Sequence, residues 1–255
     1  MPQADLTDDL AQTAASPVEA AAKPFPAILP SIGWIVLYFV LQGACTAILL
    51  TAEVGGADPA NMASAMSNPM VILWGLVLSA VVQLLLMWVY LRKSGRFTTL
   101  GLSSFGHMPP LRALGLAIIL VVGAMVFNFV YATYVIPGIG MQEDMAKILA
   151  AIPRTPINII GGFFAIAIAA PLVEELLFRG LLQNAFARRM PIWAAIILSS
   201  LFFAAVHLQP YAIPGLMSLS IAFGYLYHRT GSLRMNILLH MANNAAALLL
   251  TQGMS

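Results

Sequence analysis

The sequence predicts an all-α integral membrane protein, a polytopic helix bundle of about seven transmembrane helices. Three observations predict it. Of the 255 residues, 60% are hydrophobic and only 9% charged, with a mean hydropathy of +0.89. The apolar residues fall into runs of membrane length, and the basic residues collect on one side of those runs. A soluble domain is about 45–50% apolar and about 25% charged, so this chain has too little polar surface to cover a globule in water. A span takes about 20 residues, and the apolar content supports six to eight of them.

The same composition excludes other classes. Twelve Lys and Arg against ten Asp and Glu give a net charge of +2. The cations are scattered and form no basic patch, so no nucleic-acid partner is expected. The one cysteine, Cys45, lies within an apolar run and forms no intrachain disulfide. It reads as a buried packing thiol.

Residues 1–29 are rich in Ala, Asp and Pro and carry one basic residue, Lys23. They lack the basic and short apolar regions of a cleaved signal and read as a disordered, mildly acidic tail. Residues 30–255 form the membrane domain. Its apolar runs are Ser31–Ala52, Met70–Leu91, Leu111–Ile136, Ile157–Phe186, Ile192–Leu208, Tyr211–Tyr227 and Met235–Leu250. The short connections at 187–191 and 228–234 require antiparallel neighbours. The longer loops are Glu53–Pro69, Arg92–Pro110 and Pro137–Pro156, the second with room for a surface-lying segment. No internal repeat is visible.

With seven spans, one side of the membrane receives Lys23, Arg92, Lys93, Arg96, Arg112, Arg188, Arg189, Arg229 and Arg234, and the other only Lys147 and Arg154. By the positive-inside rule the N-terminus is cytoplasmic, and a cell (plasma or inner) membrane is the expected location. Removing one span would scramble this asymmetry, so the charges also support the span count.

The twelfth basic residue, Arg179, falls inside a span, as do Glu174 and Glu175. A central charge costs about 2.5–3.5 kcal/mol on insertion scales, and intramembrane charges point by default to function. Glu175 and Arg179 stand at i and i+4 and suit an ion pair, whereas Glu174 points about 100° away and is free to face something else. An ion-pair cluster that locks the bundle is the structural alternative. His207 ends the fifth run; His240 lies in the seventh, with Asn244 four residues on and on the same face. At 1.5 Å per residue Glu174 lies about 22 Å, and His207 about 24 Å, from the turn near Arg189. From the turn at Gly231, His240 and Asn244 lie about 14 and about 20 Å in. Helix tilt brings such depths together.

HExxH, GxSxG and glycine-rich phosphate loops are absent. Gln42, Gln83 and Asn128 read as interhelical hydrogen-bonding residues, and His107 and His228, which flank spans, as solvated or interfacial.

The boxes Glu174-Glu175-x-x-x-Arg179, Phe203-x-x-x-His207 and His240-x-x-x-Asn244 occur in this order on consecutive spans. Together they resemble the signature of the CAAX protease and bacteriocin-processing family (CPBP, also called Abi). The stretch from Gly224 to His240 is similar to that family's run into its last motif. The resemblance covers residues 157–248. It implies an intramembrane endopeptidase, which in prenyl-CAAX members removes the last three residues after a lipidated cysteine. By position Glu174 would activate water and His207 would help hold it. His240 and Asn244 would stabilise the oxyanion, with Glu175 and Arg179 in support. Peptide hydrolysis needs such a base, a placed water and aimed donors.

The family is often labelled metalloprotease, and Glu174, His207 and His240 would then be the ligands of a divalent metal such as zinc. A metal-free glutamate mechanism fits the same residues, and nothing in the sequence decides between them. Expected partners are membrane lipids and a membrane-associated or lipidated peptide or protein. Two other readings stay open: a non-catalytic immunity or peptide-binding member of the family, and a small proton-coupled transporter, since intramembrane Glu and His also mark relays.

Overall fold

The computed structural model describes residues 25–54, 68–92, 96–137 and 150–253. Most of the N-terminal tail, with Lys23, and the loop residues Lys93 and Lys147 lie outside them. The described residues form helices and turns with no strand. In chain order the helices are α1 (Ile28–Val54), α2 (Pro69–Leu91), the short α3 (Arg96–Thr99), α4 (Pro110–Val135), α5 (Pro156–Ala187), α6 (Ile192–Ala205), α7 (Ile213–Thr230) and α8 (Leu233–Gly253). Among the described residues seven helices of 14 residues or more overlie the seven apolar runs, α6 stopping short of the end of its own. Helices α1, α2, α4 and α5 have the length and hydropathy of membrane spans, and α6 is shorter. The protein is thus an all-α membrane helix bundle. The Arg92–Pro110 loop carries α3, where a surface-lying segment is expected.

Local chemistry sets the helix ends. Asn68 accepts a hydrogen bond from the Met70 amide at 2.9 Å ahead of Pro69, a capped start with proline where no N–H is needed. Helix α7 stops at Gly231, which takes the left-handed conformation (φ 69°) and returns its amide to the Tyr227 carbonyl, the usual glycine C-cap.

The polarity is inverted relative to a water-soluble protein. Leu111, Ile119 and Phe129 are at least two-thirds exposed, while Gln83, Glu175, Arg179 and Asn236 are fully buried. Lipid is as apolar as leucine, so helices associate through close packing and polar contacts rather than through hydrophobic burial. Gly75 on α2 gives Thr46 of α1 space that a Cβ would fill. Gln83 of α2 donates to the Trp34 carbonyl of α1 at 3.4 Å. Asn128 of α4 reaches the Gly215 carbonyl and the Ser218 hydroxyl of α7. Both residues serve the interhelical role expected from the sequence, and Cys45 is a buried free thiol.

At the end of the bundle that carries Arg188, Arg189, Arg229 and Arg234, residues 100–107 strap the α7–α8 turn. The Leu233 amide donates to the Gly101 carbonyl (3.1 Å) and the His107 amide to the Thr230 carbonyl (3.2 Å). The Ser232 hydroxyl donates to the Ser104 carbonyl and the Tyr227 hydroxyl to the carbonyl of fully buried Leu100. Gly101 and Gly106 take positive φ values and lie so close to the turn that a Cβ on either would overlap the Gly231 or Thr230 carbonyl oxygen.

Helix α6 departs from expectation. It ends at Ala205 after 14 residues, so His207 lies beyond the helix rather than in its last turn. Fourteen residues rise about 21 Å, short of the roughly 30 Å hydrocarbon core. The link from Val206 to Gln209, followed by a 3₁₀ turn at Pro210–Ala212, is thus non-helical backbone where the apolar run continues.

Candidate active site

Helix α5 carries two stretches of π-helical hydrogen bonding, Phe164–Ala169 and Glu175–Gln183, on either side of Pro171. Such bulges widen the turn and recur at functional sites. Pro171 offers no amide hydrogen, and the Ala170 amide turns back to the Ala165 carbonyl. The Ile166 carbonyl therefore has neither of its usual donors, four or five residues on, within its own helix. Asn244 of α8 supplies one, its Nδ2 donating to Ile166 O at 3.1 Å. A neighbouring side chain satisfies the carbonyl that proline frees, as a membrane interior demands.

One turn beyond Pro171 the two glutamates separate as their spacing suggests. Glu175 is fully buried, and its Oε1 lies 2.9 Å from both Arg179 Nη1 and His240 Nδ1. Its Oε2 accepts from Asn236 Nδ2 at 3.3 Å. Arg179 extends on to α7, donating through Nη2 to the Ser220 carbonyl and hydroxyl at 3.1 and 3.0 Å. Its guanidinium carbon sits 4.9 Å over the Phe203 ring and 5.5 Å over the Phe223 ring, a desolvated cation–π arrangement. The ion pair with Glu175 and the Nη2 hydrogen bonds to Ser220 keep this buried guanidinium from being an isolated charge.

Glu174 keeps 19% of its side chain exposed, and its Oε2 faces His240 Nε2 at 3.7 Å. That distance is too long for a direct hydrogen bond. The two carboxylates thus flank a single imidazole, with Nδ1 committed to Glu175 and Nε2 turned toward Glu174. The His240 ring is buried between Phe223 and Phe203, at centroid distances of 4.9 and 6.4 Å.

His207 stands one aromatic ring away. Its Nδ1 lies 2.7 Å from the Phe203 carbonyl oxygen, and its ring packs 4.9 Å from that of Phe203. The structure therefore brings Glu174, Glu175, Arg179 and His240 into one connected cluster. His207 meets this cluster through the Phe203 ring, against which it packs, and Asn244 turns one amide hydrogen to α5. Asn236 and Ser220 complete the cluster without having been expected from the sequence. Asn236 was legible as a polar residue one turn before His240, whereas Ser220 had no distinguishing signal. From α1, Tyr38 is buried against the hydrophobic core that contains Phe178 and Phe203. Gln42 lines a groove of about 430 Å³ between α1 and α2.

Among the described residues no three His, Cys, Asp or Glu side chains converge as a metal-ligating group. The set Glu174, His207 and His240 that the sequence leaves open as metal ligands is not assembled in this arrangement, and no chemical step is assigned to a metal.

Residues 156–246 match the family model described as Rce1-like, type II CAAX prenyl endopeptidase. Over 85 residues the chain is 39% identical to "UPF0177 protein YaiF" of Lactococcus lactis subsp. lactis (strain IL1403), covering 33% of this chain and 38% of that protein. Over 112 residues it is 29% identical to "Putative membrane peptidase YdiL" of Bacillus subtilis (strain 168), covering 44% of each. The chain thus spans less than half the length of these curated relatives. No solved structure matches it.

Proposed function

We propose that this chain is an intramembrane endopeptidase of the CAAX protease and bacteriocin-processing family, acting on a membrane-associated or lipidated peptide; the match of residues 156–246 to the Rce1-like model and the similarity to a putative membrane peptidase support the reading. The observation that carries the reading is the imidazole of His240 held between two carboxylates, 2.9 Å from Glu175 and 3.7 Å from Glu174.

The chemistry follows from that arrangement. Arg179 and Asn236 fix Glu175, and Glu175 accepts the Nδ1 hydrogen of His240, which sets the orientation of the ring. An Nε2 hydrogen then belongs to the imidazolium, whose charge the Glu175 carboxylate offsets. Glu174 is the partly accessible carboxylate and serves as general base. Water held near Glu174, with His207 at the edge of the site, attacks the scissile carbonyl carbon as Glu174 takes its proton. The oxyanion receives hydrogen bonds from His240 Nε2 and from the second amide hydrogen of Asn244, the first being given to Ile166. Collapse breaks the C–N bond, and Glu174 passes its proton to the leaving nitrogen. A general base contributes about 10²–10⁴-fold and an oxyanion donor about 10²–10³-fold.

The arginines at the strapped end of the bundle favour a cytoplasmic N-terminus. The test is a mass-spectrometric comparison of membrane peptides from cells carrying wild type and Glu174→Gln. Peptides that appear with wild type and vanish with the variant support the reading and identify the substrate. Identical peptide sets would refute it.

A further inference from the structure

The irregular link after α6 holds three features that its role as a connection leaves unexplained. Leu208 takes a left-handed conformation (φ 56°) although it is not glycine, and the residue is 87% exposed. Bulky residues rarely occupy that region, and strain of this kind concentrates at sites where a ligand is gripped. The following residue, Gln209, begins the 3₁₀ turn, yet its side chain makes no capping hydrogen bond. Its Oε1 is shielded from solvent and has no hydrogen-bond partner among the described residues. An orphaned acceptor is costly in a low-dielectric interior. Gln209 stands two residues after His207, at the edge of the proposed site.

We infer that Gln209 is a substrate-positioning residue whose Oε1 accepts a hydrogen bond from a backbone N–H of the bound peptide. The inference rests on the endopeptidase reading and adds a binding role for a residue outside the three signature boxes. The acceptor lacks a partner in the free protein because its partner arrives with the substrate. A peptide amide is the matching ligand: it presents a single donor in an extended chain, and an extended chain is the form in which a scissile bond is exposed to a base.

The test uses full-length protein in nanodiscs and a fluorescent S-farnesylated CAAX peptide. Binding is read by anisotropy in the Glu174→Gln background and turnover in the otherwise wild-type protein. Gln209→Leu is expected to weaken binding and raise KM by about tenfold, the equivalent of one net hydrogen bond, with kcat within a factor of about two. Gln209→Glu, which keeps the acceptor, is expected to restore binding. A set of peptides methylated at one backbone nitrogen each should include one position whose methylation costs wild type about tenfold and Gln209→Leu nothing. If wild type cleaves the peptide while Gln209→Leu matches it in KM and in response to every methylation, the inference is overturned and the endopeptidase reading stands. If Glu174→Gln protein does not bind the peptide and wild type does not cleave it, the action on lipidated peptides fails and this inference fails with it.

Discussion

Glu174 and Glu175 are adjacent in sequence and opposite in what their loss should do. Glu175→Gln keeps the size and an acceptor oxygen but removes the charge that balances Arg179 and His240, all three groups being buried. Removing one partner of a buried pair costs about 3–5 kcal/mol. For a chain of this size each kcal/mol shifts Tm by about 2–4 °C, so the expected fall is on the order of 6–20 °C. Glu174 is partly exposed, and its nearest charged neighbour lies 3.7 Å away. Glu174→Gln should therefore cost no more than about 1 kcal/mol, as partly exposed pairs do, while abolishing cleavage. Thermal unfolding in nanodiscs, followed by intrinsic fluorescence, reads the first quantity and peptide cleavage the second. The Glu175→Gln/Arg179→Met double variant adds a check: it should lose less than the two single losses together, because the buried guanidinium is no longer left without its carboxylate. A Tm for Glu175→Gln within about 2 °C of wild type, or an equal fall for Glu174→Gln, would refute the division of labour between the two carboxylates.

Other expectations concern the supports of the site. Gly101→Ala should cost about 2 kcal/mol or more, since it combines a positive φ with an overlap against the Gly231 carbonyl. Gly33→Ala on α1, where a Cβ meets nothing within 4 Å, should be neutral or slightly stabilising; equal Tm values for the two variants would show that the strap contributes nothing. Asn244→Ala should lose about 1–3 kcal/mol by orphaning the Ile166 carbonyl. Adding Pro171→Ala, which restores an amide hydrogen to α5, should recover most of that stability without recovering cleavage. If stability and cleavage return together, Asn244 acts only as a structural donor.

The seven long helices were legible because a membrane span announces itself by length and hydropathy, and short turns such as 188–191 leave only antiparallel packing. The separation of Glu174 from Glu175 was legible from helical geometry alone. Other features were not. Spacing read on an ideal α-helix cannot foresee that α5 unwinds into π turns around Pro171, so the tie between Ile166 and Asn244 was invisible. An apolar run also gives no sign of where a helix stops, and α6 ends at Ala205 although Val206 and Leu208 continue the run. The second carboxylate on His240 escaped sequence reading because it depends on the rotation of α8 against α5, a tertiary property. Asn236 could have been found, since Asn236, His240 and Asn244 recur every fourth residue along one face.

The tie between Pro171 and Asn244 also bears on the order of assembly. When α5 enters the membrane, its Ile166 carbonyl lacks a donor and its Glu175 faces Arg179 alone. The missing partners, Asn236, His240 and Asn244, all reside on α8, which is synthesised some sixty residues later. Until α8 inserts, the half-built bundle holds polar groups in hydrocarbon without partners. Insertion of α8 closes these gaps in one event and delivers the site's imidazole at the same moment. A chain interrupted before α8 would thus lack both the imidazole and the partners of these buried polar groups.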